Sequence, residues 1–266
     1  MNWFDRLSLP EEWRNEVEKN AETFSPEYIK TQKDPIAYLK SSEDKMQSLL
    51  YALYLCDDCE KDYERRKIDK SIMLDSLNDI KLHSENYYRS NHGKKIGLDV
   101  IEWVYLTLKC EIYKLGRLQF QFTKALYDYE PFGVKKGEDA IAIHITRDVP
   151  LLPEECQKSY DWLERFLKQY FPDFDFKVFT AETWLLDENV QKFMKPTSNI
   201  LKVMGEYTVV ERRPDFNGLN FLFLFGATPE NIDDYEAKTN LQMKVKEYVK
   251  NRGQMFVNYG YRLRKR

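Results

Sequence analysis

The sequence predicts an α+β protein in which an N-terminal helical bundle is followed by a mixed α/β domain. Apolar residues recur at helical spacing up to about residue 114. From Leu118 the pattern changes to the alternation of a strand, in LQFQFTKALY, and strand-like and helix-like stretches then follow one another. We therefore expect a helical domain over residues 1–115 and an α/β domain over residues 116–266.

In the helical half, the clearest pattern is the long helix SSEDKMQSLLYALYLCDDCEKDYERRK, capped by Ser41 or Ser42. Another helix is predicted over residues 98–115, and it ends at Gly116, because glycine readily adopts the left-handed conformation of a helix C-terminus. Arg117 follows directly. We expect it to pair with the last carbonyls of this helix or with an acidic neighbour.

After the strand LQFQFTKALY, the α/β half is predicted to continue with a strand that places Ile141, Ile143 and Ile145 on one face and His144 on the other. An amphipathic helix, a second strand, a helical stretch broken at Pro196 and a hairpin follow, and the chain closes with a helix and a strand. From this strand to the hairpin, the five elements are expected at 140–146, 153–170, 174–185, 187–204 and 206–226, with the hairpin turn at Asn217-Gly218.

Composition excludes several classes of partner. The chain has 41 basic and 44 acidic residues, well mixed, with a net charge of −3, which does not favour nucleic acid or a membrane surface. No stretch approaches the roughly twenty apolar residues of a membrane span. The N-terminus does not resemble a signal peptide, and four cysteines fit a reducing compartment, so we expect a cytoplasmic protein. The sequence leaves the oligomeric state open.

Several catalytic motifs are missing from the sequence. The phosphate-binding pattern G-x-x-x-x-G-K-[ST], the dinucleotide pattern G-x-G-x-x-G and the hydrolase pattern G-x-S-x-G are all absent. Cys56 and Cys59 have C-x-x-C spacing, but they lie inside a predicted helix with no second pair and no nearby histidine. We therefore expect buried thiols and no metal site.

His144 is the strongest candidate for acid–base chemistry, because imidazole titrates near neutral pH and this histidine lies within a predicted strand. The alternative is a structural histidine that donates to a neighbouring backbone group. Glu182, on the next strand, is expected to orient His144 or to act as a base itself if the two strands are neighbours. Its alternative is a solvent-facing carboxylate near the strand end.

Several stretches of this sequence resemble one family across nearly the whole chain. They are DYERRKIDKSIMLDSLNDI at 62–80, GLDVIEWVYLTLKCEIYKLGRLQF at 97–120, AIHI at 142–145, SYDWLERFLKQYFP at 159–172 and ETWLLDENVQKFMKPTSNI at 182–200. The chain thereby resembles bacterial acyltransferase-domain-containing proteins, with a helical N-acyltransferase N-terminal domain and a GNAT-like C-terminal domain. The strand–helix–strand–helix–hairpin order also resembles a GNAT core.

The resemblance implies an acyltransferase with a small-molecule substrate, which moves an acyl group from a thioester such as acyl-CoA to an amine or a hydroxyl. It implies that His144 is the general base and that a backbone N–H of splayed strands holds the oxyanion. It also implies that Arg147 contacts the coenzyme phosphates and that Arg117, Trp184 and Asn199 face an inter-domain cleft. The alternative, structural roles are a junction clamp for Arg117, a core residue for Trp184, and a helix cap or turn-former for Asn199.

One segment departs from the family pattern. GNAT enzymes bind the pyrophosphate of coenzyme A with a loop of the form Q/R-x-x-G-x-G/A after the strand, whereas TRDVPLLP at 146–153 has no glycine, two prolines and Asp148. This departure makes acyl-CoA a doubtful cofactor. It also leaves open an alternative function, that of a non-catalytic ligand- or partner-binding protein built on a degenerate GNAT-like fold.

Overall fold

The structure is a computed structural model, and it describes residues 3–146, 149–215, 218, 224–225 and 232–265. The chain divides into two compact units, Met1–Leu115 and Gly116–Arg266. Each unit has its own set of buried apolar side chains, as expected of a separate domain.

The first unit is built from helices and ends in one short strand. Its amphipathic helices bury large side chains such as Trp13, Leu49 and Tyr63, which are at most 2% exposed. The elements are α1 (Trp3–Arg6), α2 (Arg14–Ala21), α3 (Pro26–Lys30), α4 (Pro35–Ser41), α5 (Lys45–Arg66), α6 (Lys70–Ser90), α7 (Ile101–Leu108) and β1 (Ile112–Leu115), with a 3-10 helix at Glu11–Trp13.

The long helix α5 begins later than the sequence predicts. Its N-cap is Asp44, whose carboxylate accepts a hydrogen bond from the Met46 backbone N–H at 3.1 Å. Ser41 instead ends α4, and Ser42 is the C-cap of that helix. Asp and Ser are equally good N-caps, so the choice between these neighbours depended on where α4 ended.

The predicted helix over residues 98–115 is wrong in its second half. Helix α7 ends at Leu108, Cys110 has a left-handed backbone with φ of 55°, and the chain then forms β1. The Lys114 backbone N–H in β1 donates to the buried Ser76 hydroxyl at 2.9 Å. Gly116 therefore does not cap a helix. It lies in the turn that follows β1, with φ of 72°.

The second unit is a mixed sheet flanked by helices. Among its described residues, the strands lie in the order β2-β3-β4-β6-β5, with β3 and β4 parallel and the other neighbours antiparallel. The elements are β2 (Leu118–Lys124), β3 (Asp139–Ile145), α8 (Pro153–Tyr170), β4 (Val178–Thr183), α9 (Glu188–Gln191), α10 (Asn199–Met204), β5 (Thr208–Pro214), α11 (Asn240–Lys250) and β6 (Phe256–Leu263), with 3-10 helices at Glu130–Phe132, Trp184–Leu186 and Ile232–Asp234.

Helix α8 packs against one face of this sheet, which we call the α8 face. Tyr160 of α8 lies with its ring centroid 5.8 Å from that of Phe120 on β2 and 4.7 Å from that of Phe179 on β4. Because side chains alternate along a strand, the buried Ile141 and Ile143 of β3 are on this same face. The aromatic and aliphatic alternation in the sequence correctly predicted this face.

The opposite face is more polar, and we call it the polar face. The register of β2, β3 and β4 places Gln119, Gln121, His144, Thr180 and Glu182 on it. One end of the face is covered by an apolar cluster, whose buried members are Ala125, Val134, Ala140, Val178, Tyr259 and Tyr261. The polar side chains follow this cluster toward the ends of β3 and β4.

The predicted hairpin over residues 206–226 is confirmed only in its first strand, β5, which pairs with β6. Asn217 and most of NFLFLFG lie outside the described residues. Gly218 has φ of 67°, as the predicted turn requires. Leu224 and Phe225 are helical, so the second predicted strand is wrong at these positions.

Gly116 should be sensitive to substitution for two separate reasons. Its φ of 72° disfavours any side chain, and an added Cβ would lie 2.9 Å from the Ser159 Oγ. We expect Gly116→Ala to lower the free energy of unfolding by about 2–3 kcal/mol, measured by urea denaturation. Gly137→Ala is the matched control, since its φ is 88° and an added Cβ meets open space; its loss should be about 1–2 kcal/mol. Equal losses at the two glycines would contradict the role of the Ser159 contact.

Candidate active site at the open end of the central strands

The two parallel central strands separate before they end. The pairing of β3 with β4 consists of Ile141 with Phe179 and Ala142 with Thr180. Both strands then continue for three residues, to Ile145 and Thr183, without pairing to each other in these described ranges. Their outer ladders persist, because β2 pairs with β3 as far as Ile145 and β6 pairs with β4 as far as Thr183. The result is a gap between β3 and β4 that opens toward their carboxyl ends.

This gap presents backbone polar groups from the middle of a sheet. Successive residues of a central strand direct their N–H and C=O groups alternately to the two neighbouring strands. Some of the groups in residues 143–145 and 181–183 therefore point into the gap, where the ladder partner is missing. Buried backbone groups are normally hydrogen-bonded, so the gap suits a bound molecule with its own amide donors and acceptors.

His144 lies on β3 just beyond the last paired residue, on the polar face. The half-buried ring places Nε2 2.9 Å from Oε1 of Gln121. Burial lowers the pKa of His144 to about 4, so the ring is neutral at pH 7. With the Gln121 amide oxygen as acceptor, Nε2 carries the hydrogen and Nδ1 carries the lone pair that accepts a proton.

Glu182 lies at the equivalent position of β4, also past the end of the pairing. Its exposed carboxylate forms an ion pair with Arg213 of β5, with 2.8 Å between Oε1 and Nη2. Gln121 is a residue that contacts the His144 ring. It is not among the site residues predicted from the sequence, although its alternation with apolar residues in LQFQF places it on the polar face. Orientation of His144 by Glu182 stays a prediction.

Arg117 is almost fully buried, at 7% exposure, and its guanidinium holds the segment that follows β3. It donates to the carbonyl oxygens of Thr146 at 2.9 Å, Val149 at 2.7 Å and Pro150 at 2.9 Å. The expectation that Arg117 pairs with the last carbonyls of a helix is therefore wrong, because the chain before it is a strand and these carbonyls come from a segment about thirty residues away. Pairing of Arg117 with an acidic neighbour stays a prediction.

The other predicted site residues are dispersed in the second unit. Trp184 lies in the 3-10 helix after β4, partly buried against a cluster of Val190, Leu224, Val245 and Met255. Asn199 is the half-buried first residue of α10. Arg147 lies outside the described residues. An inter-domain cleft role for Arg117, Trp184 and Asn199 stays a prediction.

Two further features bear on where a ligand binds. A cavity of about 460 Å³ lies at the C-terminal end of α8, and none of the predicted site residues lines it. Its walls are Glu164, Arg165, Leu167, Lys168, Phe171, Pro172, Phe174 and Arg264.

Within the described part of the chain, no group of three His, Cys, Asp or Glu side chains is placed to hold a metal ion. Cys56 and Cys59 are free, buried thiols.

The strand order and the separated parallel pair define a GNAT-like acyltransferase fold. Residues 112–262 match the family model of the GNAT-like C-terminal domain, and residues 2–110 match the N-acyltransferase N-terminal domain. The chain therefore belongs to the family of proteins with this N-acyltransferase and GNAT-like domain pair. Among curated proteins, none is similar enough to the chain to count as a match.

Three solved structures are similar to this chain. An acyltransferase in complex with decanoyl-CoA has 19% identity and a TM-score of 0.72, over 81% of this chain and 65% of that one. An acyltransferase in complex with decanoyl-CoA and teicoplanin has 18% identity and a TM-score of 0.79, over 98% of this chain and 86% of that one. An acyltransferase in complex with CoA and 10C-teicoplanin has 17% identity and a TM-score of 0.81, over 98% of this chain and 86% of that one. The chain thus spans just under two thirds of the length of the first.

Two expectations, on the cofactor and on membrane-spanning helices, can now be compared with these findings. The doubt about acyl-CoA that the glycine-free loop raised is not borne out, because the similar structures contain acyl-CoA or CoA. No helix among the described residues combines the length and the apolar character needed to cross a membrane.

Proposed function

We propose that this protein transfers an acyl group from an acyl-CoA thioester to an amine or hydroxyl acceptor. The observation that carries the proposal is the gap between β3 and β4, with the neutral imidazole of His144 beside it on the polar face. A thioester in the gap would lie next to His144, the only histidine in a strand among the described residues. The acyl-CoA complexes of the similar structures support the choice of donor.

In the proposed reaction, the acceptor nitrogen or oxygen attacks the thioester carbon, and the carbonyl oxygen becomes an oxyanion. A backbone N–H directed into the gap stabilises this charge. His144 takes the proton that the acceptor loses, and the C–S bond then breaks. The acyl group stays on the acceptor, and the coenzyme leaves as a thiolate that takes up a proton, so that the histidine returns to its neutral form.

The low basicity of His144 favours an amine over a hydroxyl as the acceptor. A ring with a pKa of about 4 takes a proton readily only from a group that has itself become acidic. The nitrogen of an amine becomes acidic once it is bonded to the thioester carbon, because it then carries a positive charge. A hydroxyl acceptor becomes acidic in the same way but attacks more weakly before deprotonation.

The remaining part of the donor is proposed to follow the gap. The arm of coenzyme A that carries the thioester contains two amide groups, which match the backbone donors and acceptors of residues 143–145 and 181–183. Beyond the gap, the donor would meet the segment after β3 and the first turn of α8. Arg147 is the proposed phosphate partner in that segment.

Calorimetric titration with acetyl-CoA, decanoyl-CoA and free CoA tests the proposal. We expect binding in roughly the micromolar range, and release of free thiol when a mixture of primary amines is added. Failure of both thioesters to bind would overturn the proposal. Binding without thiol release from any amine or alcohol would instead support the non-catalytic, ligand-binding alternative.

A further inference from the structure

One side chain, that of Arg117, holds described residues at both ends of the segment between β3 and α8. Besides its bonds to the carbonyls of Thr146, Val149 and Pro150, the Arg117 guanidinium lies 3.3 Å from the Thr146 hydroxyl. One cation therefore satisfies three backbone oxygens at the two ends of the segment. Its planar fork makes this possible, since a lysine ammonium cannot reach three carbonyls in one plane.

The backbone of Arg117 is itself anchored to α8. Its N–H donates to Oγ of Ser159 at 2.8 Å, and Ser159 in turn donates to the Glu155 carbonyl at 2.9 Å. Ser159 is buried, and Gly116 must lack a side chain for this close approach. Arg117 thus fixes the segment relative to both the end of β3 and the first two turns of α8.

The composition of the segment explains why such a clamp is needed. It has no glycine, and Pro150 and Pro153 have no backbone N–H, so the segment has fewer donors for turn hydrogen bonds of its own. Without Arg117 the carbonyls of Thr146, Val149 and Pro150 would lose the guanidinium as a donor, which would favour other conformations of the segment. The side chain that holds the segment comes from the turn before β2, remote in sequence from the segment.

We propose that Arg117 is a positioning residue for the phosphate-bearing end of the acyl donor. The inference rests on the proposed function, and it assigns the organisation of the donor-binding segment to Arg117 in place of loop glycines. A donor whose thioester lies beside His144 leaves the gap at the carboxyl ends of β3 and β4, where Thr146 and Val149 follow. The segment then determines how the distal part of the donor is bound, while the chemistry at His144 does not depend on it.

The test compares two donors that carry the same acyl group: decanoyl-CoA and the decanoyl thioester of N-acetylcysteamine, which lacks the nucleotide and its phosphates. We expect Arg117→Gln to raise KM for decanoyl-CoA by roughly tenfold to a hundredfold, because displaced binding groups lose affinity steeply. The kcat with either donor and the KM for the short thioester should change by less than about twofold, since the contacts near His144 remain. Arg117→Lys should give a smaller rise of KM, and only for decanoyl-CoA.

Arg264→Gln is the matched control. Arg264 is also a largely buried arginine, with bonds to Glu164, Asp175 and the Phe176 carbonyl at the other end of α8. It should leave the ratio of the two KM values unchanged. Equal rises of KM for both donors in the Arg117 variants, or a ratio like that of the control, would overturn the inference. If Arg117→Gln does not fold, the lysine variant decides between these outcomes. A wild-type protein that uses neither donor would overturn the proposed function itself.

Discussion

Replacing His144 by glutamine is expected to lower the kcat of acyl transfer by roughly 10²- to 10³-fold, within the usual contribution of a positioned base. Glutamine retains a polar group near Gln121 but cannot accept a proton. The backbone groups of the gap stay in place, so KM for acyl-CoA should change little. Steady-state assays of thiol release with decanoyl-CoA and a saturating amine measure both parameters.

The pH dependence provides an independent readout of the same residue. The base form of His144 is required, and burial lowers its pKa from the ordinary value of 6.5 to about 4. When the rate is expressed per concentration of unprotonated amine, activity that depends on neutral His144 should therefore persist from pH 7 down to about pH 5 and fall only as the pH approaches 4. An unperturbed histidine would lose activity near pH 6.5 instead. The glutamine variant should lack this acidic limb.

His92→Asn is the control for a histidine outside the site. His92 is exposed and has a left-handed backbone with φ of 56°, which asparagine tolerates. Its kcat should equal that of the wild type. A His144→Gln enzyme with unchanged kcat and an unchanged pH profile would show that the histidine is structural and that the base lies elsewhere.

Replacing Phe179 by alanine should lower the free energy of unfolding by about 3–5 kcal/mol, the usual cost of removing a buried phenylalanine. Phe179 is 2% exposed, and its ring packs against those of Phe120, Tyr160 and Phe176. It also pairs with Ile141, directly before Ala142 and Thr180, the last parallel pair before the gap. The resulting void would loosen the point from which the strands separate.

Urea denaturation, followed by circular dichroism and by tyrosine and tryptophan fluorescence, measures this loss. Phe179→Leu keeps most of the apolar volume and should cost about 1 kcal/mol. Leu126→Ala serves as a surface control, since Leu126 is 43% exposed and should change stability by less than about 0.5 kcal/mol. If Phe179→Ala lowers the free energy of unfolding by less than Phe179→Leu does, Phe179 does not support the core beneath the gap.

Local patterns in the sequence were sufficient where the physical cause is local. The alternation of AIAIHI placed His144 opposite three isoleucines, and the register of β3 confirms it. The interruption at Pro196 correctly separated α9 from α10, because proline cannot continue a helix. The change of pattern near Leu118 also coincides with the division into two units.

Local patterns gave wrong predictions where two local structures were possible and contacts with residues distant in sequence decided between them. Residues 109–115 have helical spacing, but the chain turns at Cys110 and Lys114 bonds to Ser76 of α6. Asp44 is the N-cap of α5, although Ser41 and Ser42 are residue types equally suited to that position. For Arg117, the sequence indicated a junction arginine but not its partners, because the carbonyls of Thr146, Val149 and Pro150 reach it only when β2 and β3 pair.

The sequence by itself determined the α+β class, the strand–helix–strand order of β3, α8 and β4, and the strand that carries His144, because each of these follows from periodicity and from glycine and proline within a few residues. Only the tertiary structure decided that β3 and β4 separate after Ala142 and Thr180, that Gln121 contacts His144 and that Glu182 pairs with Arg213. These features depend on hydrogen bonds and ion pairs between segments that are remote in sequence, and on the burial that lowers the pKa of His144.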